Sequence, residues 1–151
     1  MMHSHDRLKG IFEMALDSEL SAPQMKVLFV DDEPNLLRAY ERLFRKHIDV
    51  RTAVGAQEGL AILRYELFEA IVSDMRMPGM DGIAFLTKAQ AISPNSVLIL
   101  LSGNPTSDHR GAGFRCLQKP CPRAEMLSEL QEAHQEYLSR VEAASIASVV
   151  L

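Results

Sequence analysis

Three short and uninterrupted apolar runs constrain the fold of this chain more than any other feature. They occupy residues 27–30, 70–72 and 97–101, and each is followed within two residues by an acidic or hydroxyl side chain. A strand with one solvated face would alternate apolar and polar residues, whereas strands buried on both faces are continuously apolar. We therefore predict that the three runs are central strands of a parallel sheet.

The intervening segments carry apolar residues at helical spacing, as in Leu36, Leu37, Tyr40, Leu43 and Phe44. Weaker strand patterns at 50–54 and 114–117 complete the series. This alternation predicts an α/β fold with a doubly wound parallel sheet of about five strands. In such sheets ligands bind beyond the carboxyl ends of the strands.

Two segments fall outside this unit, and we divide the chain into 1–24, 25–138 and 139–151. The first has Leu8, Ile11, Phe12, Ala15, Leu16 and Leu20 at helical spacing, which predicts an added helix and linker, with a frayed tail as the alternative. From Pro122 a helical pattern continues past the length that one sheet edge needs. The overrun is predicted to be a signalling helix or a homodimer contact.

Composition excludes several classes of function. The net charge is −4 without a run of Lys and Arg, so direct binding to nucleic acid is not expected. No apolar stretch is long enough to span a bilayer, and the first residues lack the core of a signal peptide, which predicts a cytoplasmic protein. Cys116 and Cys121 lack the CxxC spacing, so neither a disulfide framework nor a zinc site is indicated.

Polar side chains follow four of the predicted strands: Asp31 and Asp32, Asp74, Ser102, and Lys119. Because the strands are parallel, these side chains are expected to converge at one crevice. Clustered carboxylates repel one another unless a cation such as Mg²⁺ compensates, although acids after the first strand could instead cap the next helix. A carboxylate with a metal, a lysine and a hydroxyl is suited to accepting a phosphoryl group.

The order of these motifs resembles the receiver domain of bacterial two-component response regulators. The resemblance covers about 26–138 and depends on the motifs at 30–34, 74–82, 101–103 and 119–120. It implies the flavodoxin-like strand order 2-1-3-4-5, which is known for a member of this family. The segment 113–122 is further similar to receivers of HD-type phosphodiesterase regulators.

The resemblance also implies roles for individual residues. Asp74 is then the phosphoacceptor, and Ser102 and Lys119 contact the phosphoryl group. Asp32 and Asp74 bind Mg²⁺ directly together with the Arg76 carbonyl, while Asp31 acts through water. The Lys119–Pro120 bond is expected to be cis, as in other tight functional turns.

The chain departs from the family pattern between the fourth and fifth strands. Cys116 stands where the subgroup usually has an aromatic residue, which rotates inward when the hydroxyl residue moves. The smaller thiol cannot take over this switching movement. Residues 104–111 lack an apolar helical face, so we expect the fourth helix to be short or absent and this stretch to be a mobile loop. We then expect the N-terminal helix or a second chain to cover Leu117.

The leading hypothesis is a phosphorylatable switch rather than an enzyme, with a histidine kinase or a phosphotransfer protein as partner. An aspartyl-phosphate phosphatase is the enzymatic alternative. Such enzymes resemble one another in an Asp-x-Asp motif, and the residues from Asp74 to Arg76 lack the second acid. A pseudo-receiver that binds a partner constitutively is the third hypothesis, and the intact set of acids, serine and lysine argues against it.

Overall fold

The computed structural model describes residues 24–104 and 113–150, in which strands and helices alternate. The strands are β1 (Lys26–Asp31), β2 (Asp49–Val54), β3 (Ala70–Asp74), β4 (Val97–Ser102) and β5 (Arg115–Gln118). The helices are α1 (Pro34–Phe44), α2 (Ala56–Leu63), α3 (Gly82–Ile92) and α4 (Arg123–Val150). All strand pairs are parallel in the order β2-β1-β3-β4-β5, which confirms the predicted fold and strand order.

Side chains of the central strands alternate between two separate apolar cores. Val27 and Phe29 point to the face covered by α1 and α4, where they pack with residues such as Phe44 and Leu130. Leu28 and Val30 point to the opposite face, in one core with side chains of α2 and α3. Both faces are therefore dry, which explains why these strands have no polar alternation.

Two helices begin directly beyond the carboxyl edge of the sheet. Pro34 opens α1, where its missing N–H removes no helical hydrogen bond. Asp81 precedes α3 and caps it, because its carboxylate accepts a hydrogen bond of 2.8 Å from the Ala84 N–H. Both helices thus place their positive ends near the strand tips that carry the acids.

The region between β4 and β5 is only partly described. Residues 105–112 lie outside the described residues, so a short or absent helix and a mobile loop there stay predictions. The fourth helix that the structure describes is the C-terminal one. Leu117 is 6 % exposed and packs in one core with Met126 and Leu130 of α4. Our expectation that an N-terminal helix or a second chain covers Leu117 is therefore wrong.

Helix α4 contains 28 residues and packs against the sheet through only part of its length. Met126, Leu130 and Ala133 are buried, and Arg140 still donates a 3.0 Å hydrogen bond to the Ser96 carbonyl. Residues 141–149 are all exposed. The division at residue 138 stays a prediction, as does the N-terminal extension, whose residues 1–23 lie outside the described part. Within the described ranges, no helix is long and apolar enough to cross a membrane.

Candidate functional site

The carboxyl ends of four strands bring the predicted polar residues together. Asp31, Asp74 and Ser102 are the last residues of β1, β3 and β4, and Lys119 follows β5 directly. They surround a pocket of about 690 Å³. Its lining consists of Asp32, Glu33, Asp74, Met75, Arg76, Ser102, Gly103, Asn104 and Lys119. The topology thus places all of the predicted side chains at or directly beside one crevice.

Three carboxylates cluster at this pocket, two of them in its lining and the third, Asp31, beside them. One oxygen from each of Asp31, Asp32 and Asp74 lies within 4.8 Å of the other two. Asp31 is 2 % exposed and Asp74 is 8 % exposed. Burial raises the pKa of Asp31, and the nearby negative charge of Asp74 raises it further. The Glu33 N–H, which donates to Asp31 Oδ1 at 2.9 Å, lowers that pKa. The balance is a raised pKa, so the charged Asp31 carboxylate is disfavoured in this fold.

An unsatisfied oxygen indicates what this acid cluster could bind. Asp31 Oδ2 is buried and has no hydrogen-bond partner. No other buried side-chain nitrogen or oxygen in the described ranges is left without one. The Lys119 ammonium is 3.7 Å from it, too far for a hydrogen bond. Mg²⁺ prefers carboxylate and carbonyl oxygens, so this cluster fits the predicted ion. Arg76 lines the same pocket, and metal binding by its carbonyl stays a prediction.

Lys119 is held over the phosphoacceptor candidate. Its Nζ atom is 2.7 Å from Asp74 Oδ1, and its backbone N–H donates to the Ser102 carbonyl at 2.9 Å. The Lys119–Pro120 peptide bond is cis, as the resemblance implied. The side chain keeps 31 % of its surface exposed, so its ammonium faces both the buried acids and the open pocket.

Ser102 is buried at the tip of β4, with 4 % of its surface exposed. Its Oγ accepts a hydrogen bond of 3.1 Å from the Asn104 N–H. The hydroxyl hydrogen can therefore donate to an anion placed in the pocket. Asn104 also lines the pocket but was not among the sequence candidates. Its position two residues after the strand-ending serine was the only available signal.

Gly82, the first residue of α3, lies very close to the end of β3. Its N–H donates to the Met75 carbonyl at 2.8 Å. A Cβ atom built on Gly82 would lie 2.3 Å from the Asp74 carbonyl oxygen and 2.9 Å from Met75 Cα. Only glycine allows α3 to begin this close to the strand tip, so Gly82 helps to set the backbone position of Asp74.

The family comparison agrees with this geometry. The model of the response regulator receiver domain matches residues 27–131. The chain belongs to this family. The receiver is 31% identical over 122 residues to the transcriptional regulatory protein PrrA of Mycobacterium tuberculosis, covering 77% of this chain and 52% of that protein. It spans about half or less of the length of the first curated relatives it matches.

Solved structures show the same fold. The receiver superposes on a structure described as adenylate cyclase from Rhodopirellula baltica with a TM-score of 0.77 and 30% identity, covering 83% of this chain and 98% of that chain. It is also similar to the signal receiver domain of an HD domain-containing protein from Pseudomonas fluorescens, with a TM-score of 0.72 and 24% identity. That match covers 80% of this chain and 94% of the other.

Replacing Asp31 with asparagine is expected to stabilise the metal-free receiver. Asparagine keeps the acceptor for the Glu33 N–H and removes a buried charge with an unsatisfied oxygen. Such groups cost about 1–3 kcal/mol, so the melting temperature at neutral pH should rise. The pKa of Asp31 is raised in the folded state, so its charged form destabilises the fold. This destabilisation is fully present at a pH above the raised pKa and disappears as the pH falls below the ordinary value of 3.8. The advantage of Asp31→Asn should therefore vanish in acid.

The control is Asp49→Asn, which makes the same chemical change at an exposed position. It should alter the free energy of unfolding by less than about 0.5 kcal/mol. Thermal melts from neutral pH to acid, without divalent ions, provide the measurement. A clear loss of stability in Asp31→Asn at neutral pH would contradict the argument from burial and repulsion.

Proposed function

We propose that this receiver is a phosphorylatable switch in which Asp74 accepts a phosphoryl group from a histidine kinase or a phosphotransfer protein. The observation that carries the proposal is the setting of Asp74. Its carboxylate ends a buried strand, lies 2.7 Å from the Lys119 ammonium and belongs to a cluster of three acids. Among the acids of that cluster, Asp74 is the one that both lines the pocket and contacts the lysine at hydrogen-bond distance.

The proposed reaction is a transfer between two side chains. A carboxylate oxygen of Asp74 attacks the phosphorus of a phosphohistidine on the partner protein. A P–O bond forms while the P–N bond breaks, and the leaving imidazole nitrogen takes up a proton. Water later hydrolyses the acyl phosphate, which restores the carboxylate and releases inorganic phosphate. The receiver thus ends unchanged, as a switch that resets itself rather than an enzyme acting on a separate substrate.

The residues around Asp74 have separate tasks in this proposal. Lys119 offsets negative charge on the phosphoryl oxygens, and the Ser102 hydroxyl donates a hydrogen bond to one of them. Asp32, Asp74 and the Arg76 carbonyl would hold Mg²⁺ directly, with Asp31 acting through water. When bound there, the ion would offset negative charge that builds up on the phosphoryl oxygens.

The hydrogen bonds of Ser102 support a route from phosphorylation to a change in shape. Its carbonyl accepts from the Lys119 N–H, and its hydroxyl accepts from the Asn104 N–H. Rotation of the whole Ser102 side chain toward a phosphoryl group would move its oxygen and give up the bond to Asn104, where the β4–β5 connection begins. Cys116 is partly buried against the core that contains α2 and α3, so a smaller side chain replaces the aromatic residue that is usual at this position in the similar subgroup.

Incubation with acetyl phosphate tests the proposal, with and without Mg²⁺. We expect an intact-mass increase of one phosphoryl group that needs the metal and decays on standing. Beryllofluoride should bind under the same conditions. Absence of both modifications would favour the pseudo-receiver, and sustained release of phosphate from added phosphate monoesters would favour a phosphatase. Sizing of the modified and unmodified chain tests the predicted homodimer.

A further inference from the structure

A groove distant from the acid pocket lies where the described chain begins. Its volume is about 660 Å³, similar to that of the acid pocket. Met25 and Ile48, which precede β1 and β2, line one side, and Leu127, Leu130 and Gln131 of α4 line the other. The groove therefore opens toward the amino ends of the strands, at the opposite end of the sheet from Asp74.

Four residues that line this groove are apolar, and the other four are polar: His47, Gln131, His134 and Gln135. Ile48 and Leu130 are buried, whereas Met25 and Leu127 are only partly buried although they pack against the same core. Apolar surface left in water in this way is stabilised by further cover. The apolar part of the lining is thus suited to contact with an apolar side chain, and the polar part can contact the edge of an amphipathic segment.

The chain itself brings an apolar segment to this place. The side-chain amide of Gln24 donates to the Lys46 carbonyl at 3.4 Å, so the chain begins its described path directly at the rim beside His47. Twenty-three residues precede Gln24. Their apolar positions Leu8, Ile11, Phe12, Ala15 and Leu16 share one face at helical spacing.

The charges of the segment and the rim are complementary. Arg42, Arg45 and Lys46 are exposed at the end of α1 and just beyond it. Arg42 and Arg45 line a second concavity with Gln24, where the acids Glu41 and Asp49 offset part of their charge. The segment carries Glu13, Asp17 and Glu19 against a single lysine between residues 8 and 20. Helical spacing places Glu13 and Asp17 on the side of the helix away from the apolar face, and Glu19 on that face at its C-terminal end. Docking of that face would therefore leave Glu13 and Asp17 in solvent and bring Glu19, five residues before Gln24, toward the basic rim.

We propose that residues 8–20 dock as an amphipathic helix in the groove between Met25, Ile48 and α4 of the same chain. Phe12 is central in the apolar face of the segment and provides its largest side chain. This contact would cover Met25 and Leu127 and would connect the segment to α4, the helix that continues to Val150. The inference is independent of phosphorylation.

Tryptophan substitutions in the full chain test the docking, because the native sequence contains no tryptophan. Phe12→Trp should show blue-shifted emission and weak quenching by acrylamide. The matched control is Met14→Trp, on the opposite side of the helix, which should emit and quench like an exposed indole. Equal, exposed behaviour of the two variants would overturn the proposal.

Hydrogen exchange then locates the contact. Phe12→Asp should weaken docking at least about tenfold, since burying a phenylalanine side chain is worth more than one decade in an equilibrium constant. Exchange should become faster at residues 46–48 and 127–135 and stay unchanged in α3, whereas Met14→Asp should have no effect. If no change appeared in the groove residues, or if sizing and dilution showed that burial of the Phe12→Trp indole requires a second copy, docking within one chain would be wrong.

Discussion

Replacing Asp74 with asparagine is expected to abolish phosphoryl incorporation. The amide lacks the anionic oxygen that attacks phosphorus, and among residues 24–104 and 113–150 no second carboxylate of the pocket is in hydrogen-bond contact with Lys119. Intact mass after incubation with acetyl phosphate and Mg²⁺ should show no added phosphoryl group in Asp74→Asn. The substitution keeps the side-chain shape and relieves repulsion in the acid cluster, so the fold should survive. A melting curve verifies this, and loss of incorporation can then be assigned to chemistry.

Asp81→Asn is the matched control, because Asp81 is a nearby acid with a structural task. It caps α3 through the Ala84 N–H, which an asparagine can also do. This variant should incorporate the phosphoryl group with nearly the native yield. Undiminished Mg²⁺-dependent incorporation in Asp74→Asn would show that another residue is the acceptor.

Replacing Gly82 with alanine is expected to lower the free energy of unfolding by about 3 kcal/mol, the upper end of the cost of overpacking. The added methyl group would meet the Asp74 carbonyl oxygen at 2.3 Å, Leu100 Cδ1 at 2.8 Å and Met75 Cα at 2.9 Å. Two of these atoms belong to the backbone and cannot rotate away. In a helix without such neighbours, alanine would instead stabilise relative to glycine by about 1 kcal/mol. The clash therefore decides that the substitution destabilises the receiver rather than stabilising it.

Urea unfolding measures this loss, and Gly103→Ala is the control at the rim of the same pocket. A Cβ atom on Gly103 would have no neighbour within 4 Å, so the change should stay within about 0.5 kcal/mol. Folded Gly82→Ala should also incorporate phosphate more slowly, because relief of the clash displaces the backbone of Asp74. Native stability in Gly82→Ala would show that α3 can shift without cost.

The sequence was informative where one residue and its immediate neighbours decide the outcome. The apolar runs predicted β1, β3 and β4 because both faces of those strands are buried. The parallel arrangement then predicted that Asp74, Ser102 and Lys119 would meet, since parallel strands end at one edge. The cap formed by Asp81 is local in the same way, because its hydrogen bond reaches only three residues along the chain.

The unpredicted features depend on contacts between distant residues. The sequence made Asp31 and Asp32 look alike, yet Asp31 is buried with an unsatisfied oxygen because it ends a central strand, whereas Asp32 lies at the pocket surface. The expectation for Leu117 was wrong because a local pattern cannot show that α4 folds back over β5. The close approach of Gly82 to Asp74 was also invisible in the sequence, where glycine indicates only freedom of the backbone.

The sequence by itself determined the class of fold, the strand order through family resemblance, and the set of side chains that could carry phosphoryl chemistry. Hydrophobic periodicity and strand-end residues are local properties, so they can be recognised without coordinates. Only the tertiary structure decided which acid is desolvated, how near Lys119 lies to Asp74 and where apolar surface remains open beside α4. These properties depend on distances across the sheet, because burial and Coulomb energy are set by neighbours in space rather than in sequence.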